Sequence, residues 1–247
     1  MTQKSHTLQS LVTLSRALGD PRSDYVVLGE GNTSAAIDRQ TFWVKASGVP
    51  LNGIHPRDFI EVPRAGLLAV VAGRRRTTQR ATVAGQARPS IEALFHAVVL
   101  ELPGISFVGH THPTSVNRIL CSRRSRALYH GAIFPDAIVY CGRAPVYVPY
   151  MDPGVPLARA IQRRVDAYVT RYRESPRLIL LENHGMIALG HTPQTVLQVT
   201  AMAVKTAAIL WGASVLSTPR RLTRAQAAMI ATRPDERYRQ QLPLSRK

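Results

Sequence analysis

The sequence has 247 residues and is strongly basic, with 32 lysines and arginines against 15 aspartates and glutamates, which gives a formal net charge of +17 at pH 7. Hydrophobic residues make up 45% of it, and this length is sufficient for one well-packed domain. We find no apolar core of signal-peptide length near Met1 and no uninterrupted apolar run as long as a membrane span, so we expect a cytoplasmic protein without a membrane partner. Cys121 and Cys141 are too few for a disulfide framework, and we expect reduced, buried thiols.

Arginine supplies almost all of the positive charge. The lysines are only Lys4, Lys45, Lys205 and Lys247. Such a surface could bind nucleic acid or attract phosphorylated substrates, or it could simply be solvated. No nucleic-acid-binding motif accompanies the arginine clusters, so we expect no nucleic-acid partner and a solvated role for most of these residues.

The first half of the chain predicts one helix followed by strands. Apolar residues at helical spacing indicate an amphipathic helix from Thr7 to Leu18, ended by Gly19. A polar, arginine-rich loop is predicted over 73–88. The predicted strands lie at 26–34, 42–48, 57–62 and 67–71.

The second half alternates helices and strands. Ser90 is a credible N-cap for a helix that places Glu92 in its first turn, where the helix dipole favours a carboxylate. Thr192 and Pro193 supply the start of a long helix that Gly212 would end. Helices are also predicted at 115–121, 157–172 and 225–230, and strands at 105–110, 137–140, 146–149 and 178–181.

A pair of histidines ends the strand predicted at 105–110. Residues two apart on a strand share a face, so His110 and His112 point the same way and can bind one ion. His184, which follows the apolar run 178–181, is a candidate third ligand. Three histidines with an open coordination position form the usual catalytic zinc arrangement. Taken alone, the pair could equally be ordinary polar residues at a strand end.

Four separated motifs together carry a family resemblance. They are Gly31-Asn32, Ser90-Ile91-Glu92, His110-Thr111-His112 and Asn183-His184-Gly185. From roughly Leu8 to Leu216 the chain resembles the class II aldolase/adducin family. The resemblance implies a three-layer α/β/α fold with a central, mostly antiparallel sheet. It also implies one divalent metal ion per chain, for which zinc is the first choice and manganese or another ion the alternative.

The resemblance assigns roles to residues. His110, His112, His184 and Glu92 would hold the metal, and Glu92 would act as the acid/base once substrate displaces it, with a pKa raised by a dry site. Residues of two glycine-rich loops and of the helix start would bind the substrate's phosphate or a similar polar end: Gly31, Asn32, Ser47, Gly48 and Ser90. Without the other motifs, the two loops would be read as tight turns.

Members of this family commonly form tetramers with active sites at subunit boundaries, so the resemblance implies a homotetramer. A tyrosine near the C-terminus assists as an acid in such proteins, and Tyr238 and Tyr129 are the weak candidates here, although each could be an ordinary surface tyrosine. We expect one aldolase/adducin-like domain over 1–217. A basic extension over 218–247 could pack on a neighbouring subunit.

The implied function is a metal-dependent lyase of carbohydrate metabolism. It would cleave a hydroxy-ketose, phosphorylated or free, or a related sugar acid through an enediolate. Epimerisation, decarboxylation, dehydration and a non-catalytic, adducin-like binding role are the alternatives.

Two departures bear on the substrate. Ile91 stands where sugar-phosphate aldolases usually have a second serine, and Lys45 stands in a loop that usually reads Thr-Pro-Ser/Thr-Gly. In these motifs the sequence resembles more closely the aldolase-like half of bifunctional rhamnulose-phosphate aldolase/dehydrogenases. It has no counterpart of their dehydrogenase half. Phosphate recognition would then be weaker or would fall to Lys45 and arginines.

Overall fold

The computed structural model describes residues 2–75 and 88–233, which contain nine α-helices and seven strands. The helices are α1 (Gln3–Leu18), α2 (Arg64–Val71), α3 (Ala93–Val99), α4 (Thr114–Leu120), α5 (Ser125–Leu128), α6 (Pro135–Cys141), α7 (Val155–Tyr172), α8 (Pro193–Leu216) and α9 (Arg224–Thr232). The strands are β1 (Asn32–Ala36), β2 (Thr41–Lys45), β3 (Phe59–Pro63), β4 (Phe107–Thr111), β5 (Val146–Val148), β6 (Leu178–Leu181) and β7 (Gly185–Gly190).

All seven strands form one sheet in the order β3-β2-β1-β4-β7-β6-β5. Every neighbouring pair is antiparallel except β5 and β6, which are parallel. Helices α2, α3 and α7 cover one face of the sheet, and α1, α4, α6 and α8 cover the other. The predicted three-layer α/β/α fold with a mostly antiparallel sheet is confirmed.

Two predicted strands are helices. The run 67–71 belongs to α2, where Leu67, Val70 and Val71 are buried at the i, i+3, i+4 spacing of a helix. The run 137–140 belongs to α6, which starts with Pro135 in its first turn. Short apolar runs do not distinguish a buried strand from a buried helix. In both cases the run packs on neighbouring helices: α2 on α3 and α7, and α6 on α8 and α9.

Four smaller predictions are corrected. Residues 26–31 form a loop rather than strand, because Leu28 adopts a left-handed conformation with φ of 55°. Helix α3 begins at Ala93 rather than directly after Ser90, whose Oγ accepts from the Glu92 N–H at 3.3 Å. Helix α8 continues through Gly212 to Leu216. Cys121 is exposed, whereas Cys141 is buried as expected.

Helix α8 is the one helix in the described residues that is long and apolar enough to cross a membrane. Its start matches the prediction, since the Thr192 side chain accepts from the Thr195 N–H and Pro193 opens the first turn. The helix packs against α1, α4, α6 and β7, and its buried face includes Val196, Val199 and Ala207. The helix therefore has the length and hydropathy of a membrane span and packs on the rest of the protein along one face.

The predicted boundary near residue 217 coincides with the end of α8. Beyond it, α9 packs on α6 of the same chain, where Ile230 contacts Ile138 and Val139. A separate C-terminal extension stays a prediction, since residues 234–247 lie outside the described residues.

Strand β4 lies at the centre of the sheet, where two helices approach it closely. Gly109 faces α1 and α8, and a Cβ placed on it would lie 2.8 Å from both Leu18 Cδ1 and Val196 Cγ1. Only hydrogen fits in that space. The alternate residues of the strand face α3, so the side chain of His110 points toward that helix.

We predict that Gly109→Ala lowers the free energy of unfolding by about 1–3 kcal/mol, because the added methyl group overpacks the contact of β4 with α1 and α8. The matched variant is Gly212→Ala in α8, where a Cβ would meet nothing within 4 Å. That change should stabilise the protein by roughly 0.5–1 kcal/mol, since alanine is the better helix former. Urea unfolding of both variants tests the pair, and an unaffected Gly109→Ala protein would contradict the packing described.

Candidate metal centre

Three histidines converge at one end of β4. His110 lies in β4 and is fully buried, and His112 follows the strand by one residue. Their Nε2 atoms are 2.9 Å apart. His184 completes the group, and one ring nitrogen from each of the three lies within 4.8 Å of the others.

The turn between β6 and β7 positions His184. Asn183 adopts a left-handed conformation with φ of 54°, which asparagine tolerates better than most residues. The backbone carbonyl of His184 accepts from Asn117 Nδ2 at 3.0 Å. Gly185 must lack a side chain, because a Cβ there would lie 2.6 Å from His112 Cδ2. The Asn-His-Gly motif thus supplies a turn, a ring and the space for a second ring.

Glu92 enters from the start of α3, on the face of the sheet that carries His110. Its Oε1 lies 3.2 Å from His184 Nε2 and 3.5 Å from His110 Nε2. Its Oε2 accepts from Asn32 Nδ2 at 2.5 Å. The side chain makes no capping bond to the helix, so its conformation follows from the site and not from the helix end.

The outer ring nitrogens of two of these histidines face acceptors. His110 Nδ1 donates to the Met186 carbonyl at 2.9 Å, which leaves Nε2 free to bind an ion. His112 Nδ1 faces Glu30 Oε1 at 3.7 Å. Carboxylates and carbonyls in this position fix the orientation of metal-binding histidines. Sequence reasoning missed Glu30, whose only signal was its place between two glycines.

The electrostatics of the group favour an ionised glutamate. Burial by itself would lower the pKa of His110, but the nearby Glu92 carboxylate outweighs burial and raises it. Burial raises the pKa of Glu92, but its interactions with His110 and His184 outweigh burial and leave the pKa below its ordinary value, not above it as expected. Burial, with His110 and His184 nearby, lowers the pKa of His112 to about 3. A neutral imidazole is the form that binds metal.

The predicted phosphate-binding residues lie beside this centre. An isolated β-bridge joins Ala46 to Pro89, and Ser47 N–H donates to the Arg88 carbonyl at 2.9 Å, which brings the Ser47-Gly48 loop next to Ser90. Gly31 and Gly48 both have positive φ, of 67° and 78°. A Cβ on Gly31 would lie 2.6 Å from the His110 carbonyl, so this glycine allows the loop to approach β4.

Asn32 is placed differently from the other predicted substrate residues. Its side-chain amide bonds Glu92 on one side and His96 on the other. Its side chain is thus engaged with the carboxylate, and its role in substrate binding stays a prediction. Sequence reasoning assigned His96 no part in the site, although its position one helical turn after Glu92 was the available signal.

Two of the three weak candidates lie within the described residues, and neither side chain is hydrogen-bonded to the histidines or to Glu92. Lys45 is buried and its Nζ donates to the Val49 carbonyl, so it braces the Ser47-Gly48 loop. Tyr129 is buried in the core under α8, and its hydroxyl has no partner among the described residues. Tyr238 lies outside the described residues.

The donor set fits a divalent ion. In a tetrahedral zinc site with Zn–N bonds of about 2.0–2.1 Å, ligand atoms lie roughly 3.3 Å apart. The separations of 2.9, 3.2 and 3.5 Å among the Nε2 atoms and Glu92 Oε1 are close to that value. Imidazole-rich sites with a carboxylate suit zinc, and manganese is the natural competitor.

Comparison with known proteins points in the same direction. The family model described as Class II Aldolase and Adducin N-terminal domain matches residues 9–211. A Bacillus subtilis protein called uncharacterized oxidoreductase YuxG is 26% identical over an alignment of 216 residues that covers 81% of this chain and 29% of YuxG. A methylthioribulose-1-phosphate dehydratase of Microcystis aeruginosa is 28% identical over an alignment of 177 residues that covers 67% of this chain and 76% of that protein.

Among solved structures, an L-fuculose 1-phosphate aldolase aligns with a TM-score of 0.72 and 19% identity. The alignment covers 95% of this chain and 97% of the aldolase. Identity at this level supports the shared fold.

We predict that the purified protein binds about one divalent ion per chain, and that His112→Ala abolishes retention of the ion through dialysis because a ligand is lost. The matched variant is His191→Ala, at an exposed histidine beyond the opposite end of β7. It should retain the ion. Elemental analysis measures both. Stoichiometric metal in a variant lacking His110, His112 and His184 together would refute the assignment.

Proposed function

Because this chain belongs to the family of class II aldolases and adducins, we propose that it is a metal-dependent lyase that cleaves a carbon–carbon bond in a hydroxy-ketose phosphate or a related sugar acid. The main observation in support of this proposal is that three imidazoles and one carboxylate from separate parts of the chain converge on a single point. A structural role alone would not require so many titratable groups in one buried place.

In the proposed reaction the metal ion would polarise the substrate and a protein side chain would transfer the proton. A divalent ion held by His110, His112 and His184 would polarise the carbonyl and hydroxyl oxygens of the substrate and stabilise the enediolate left by cleavage. Glu92 would hold and return the proton. Its Oε2 is fixed by Asn32, so Oε1 is the atom that would take a proton from the substrate.

The loop of Ser47 and Gly48, together with Gly31 and Ser90, would receive the anionic end of the substrate. Glycines with positive φ turn backbone N–H groups toward a common concavity, which suits phosphate. The phosphate would then lie a short distance from Glu92, since Ser90 is two residues before it.

Dehydration of a related sugar phosphate is the second candidate. The methylthioribulose-1-phosphate dehydratase relative is 28% identical over 67% of this chain, which favours this alternative within the same family. The same polarised carbonyl and the same proton-transfer group would serve loss of water instead of carbon–carbon cleavage. A non-catalytic, adducin-like role is less well supported, because the three histidines and Glu92 are all present.

We also propose that the protein works as a homotetramer in the cytoplasm. Large apolar side chains that the single chain leaves exposed support an assembly: Ile209, Trp211, Val215 and Leu216 of α8, and Met229 of α9. Size-exclusion chromatography with light scattering tests this directly, and a monomer at micromolar concentration would contradict it.

A substrate screen tests the proposed reaction. Zinc- and manganese-loaded protein is incubated with phosphorylated and free hydroxy-ketoses and sugar acids, and mass spectrometry follows the products. Lyase activity yields two carbonyl fragments whose masses sum to that of the substrate, whereas a dehydratase yields one product lighter by a water. Stoichiometric metal without turnover of any class would favour the binding role.

Glu92→Gln separates the proposed proton transfer from a stabilising charge at the helix start. If Glu92 moves the proton, turnover falls by roughly two to four orders of magnitude and the melting temperature changes little. If its charge only complements the dipole of α3, stability falls by a few tenths to about 1 kcal/mol and turnover stays near normal.

Glu101→Gln is the matched control, since this exposed carboxylate lies just beyond the other end of α3. Metal occupancy must be measured in every variant, because Glu92 is also a predicted ligand. Full activity in a metal-replete Glu92→Gln protein would remove Glu92 from the mechanism.

Ile91→Ser tests the phosphate pocket. Ile91 is 61% exposed beside Ser90, so a serine there can point a hydroxyl at a bound phosphate without disturbing the core. We expect affinity for inorganic phosphate to improve by roughly 0.5–3 kcal/mol through the added donor. Calorimetry measures the phosphate affinity of Ile91→Ser and of Ile91→Ala, the second of which removes the isoleucine side chain without adding a donor. Equal affinities of the two variants would place the phosphate elsewhere.

A further inference from the structure

A chain of buried polar side chains runs away from the candidate metal centre. Glu92 Oε2 accepts from Asn32 Nδ2 at 2.5 Å, Asn32 Oδ1 bonds His96 Nε2, and His96 Nδ1 lies 2.6 Å from Ser34 Oγ. Asn32 is 3% exposed, and Ser34 and His96 have no exposed surface. Nothing in the proposed chemistry requires the last two residues to be polar.

These hydrogen bonds can form because the spacing of two residues on strand β1 matches the spacing of two residues along α3. Asn32 and Ser34 are two apart in β1, which separates them by about 6.6–6.8 Å on one face of the sheet. Glu92 and His96 are four apart on α3, which separates them by roughly 6 Å on one face of the helix. When α3 packs on the sheet, the two pairs come into register. Asn32 also lies directly opposite His110 in the β1–β4 ladder.

The direction of every hydrogen bond follows from the carboxylate. An ionised carboxylate can only accept, so Asn32 must present its NH₂ group to Glu92 and its carbonyl oxygen to His96. His96 must then donate from Nε2, and its Nδ1 must accept from the Ser34 hydroxyl. The neutral imidazole has one donor and one acceptor nitrogen, and this arrangement uses both.

The protonation state of His96 agrees with this arrangement. Burial and the nearby His110 lower the pKa of His96 to about 3, so its ring is neutral at physiological pH. A stable neutral ring keeps a single tautomer only if its surroundings select one. Glu92 makes that selection through Asn32, whose oxygen needs a donor at Nε2, and the Ser34 hydroxyl then satisfies Nδ1.

We propose that Ser34 and His96 are positioning residues that act through Asn32 to hold Glu92 with Oε1 toward the three histidines. Without the His96 donor, the buried Asn32 carbonyl oxygen has no partner, so the Asn32 side chain is no longer held in place. Its bond to Glu92 Oε2 then weakens, and Oε1 is no longer held toward the three histidines. This inference rests on the proposed metal site, but not on which reaction the site performs.

Zinc affinity distinguishes a positioning role of Ser34 and His96 from a purely structural one, because a purely structural role would leave the affinity unchanged. The dissociation constant is measured by competition with a chromogenic chelator, together with the melting temperature of the metal-free protein. His96→Leu should weaken zinc binding by roughly 10- to 100-fold, the range typical of lost outer partners of metal ligands. His96→Gln retains an amide donor for Asn32 and should recover part of the loss.

Ser34→Ala is the gentler variant and keeps the test decisive if His96→Leu fails to fold. It removes only the hydroxyl that satisfies His96 Nδ1, and zinc binding should weaken in the same direction. Ser15→Ala is its matched control, because Ser15 is equally buried and bonds Thr33 Oγ1 at 2.6 Å, on the neighbouring residue of the same strand. That variant should lose stability without any change in zinc affinity.

A double-mutant cycle completes the test. If Ser34 acts through Glu92, Ser34→Ala should change zinc affinity by less than about twofold once Glu92→Ala is present. Equal zinc affinities of the wild type, Ser34→Ala and His96→Gln proteins would overturn the inference, and so would an undiminished effect of Ser34→Ala in the Glu92→Ala background. A wild type that binds no divalent ion would overturn the metal site and this inference together. Metal binding without turnover would contradict only the proposed reaction.

Discussion

Complete burial of the His110 imidazole means that both of its ring nitrogens must find partners inside the protein. Nδ1 has the Met186 carbonyl of the neighbouring strand β7, so Nε2 alone faces the point where His112, His184 and Glu92 meet. Because β4 is hydrogen-bonded to a strand on each side, this imidazole cannot shift without breaking the sheet. The remaining ligands are placed relative to a fixed ring.

Close approach to that ring explains several glycines of the motifs. A Cβ on Gly31 would lie 2.6 Å from the His110 carbonyl, and a Cβ on Gly185 would lie at the same distance from a His112 ring carbon. On the opposite face of β4, Gly109 likewise leaves the space into which side chains of α1 and α8 pack. Conformational freedom matters only at Gly31, whose φ is positive. The other two are needed for space.

Some of the arginine excess has a structural explanation. Several arginines donate to carbonyls at or near the C-terminal ends of helices, where the helix dipole favours a cation. They are Arg64 on Leu100 after α3, Arg159 on Val71 of α2, Arg177 on Val139 of α6, and Arg221 on Ala127 and Leu128 of α5. These guanidinium groups serve the fold, which leaves fewer arginines free to steer a substrate.

Local sequence patterns were sufficient to identify the candidate ligands of the metal centre and to locate the ends of several helices and strands. A His-x-His strand end, an Asn-His-Gly turn and the Thr192-Pro193 helix start depend on contacts within a few residues, and the structure has each of these elements where they were expected. The family resemblance supplied the three-layer order of the fold, which periodicity alone would not have given.

Only the tertiary structure decided which short apolar runs are helices and what each polar side chain faces. The runs within α2 and α6 are helical, and the contacts that bury them come from other helices: α3 and α7 for α2, and α8 and α9 for α6. Asn32, an expected substrate contact, bonds Glu92 on one side and His96 on the other, because α3 and β1 meet in matching register. That register joins residues about sixty positions apart, and local sequence carries no signal for a hydrogen bond over such a distance.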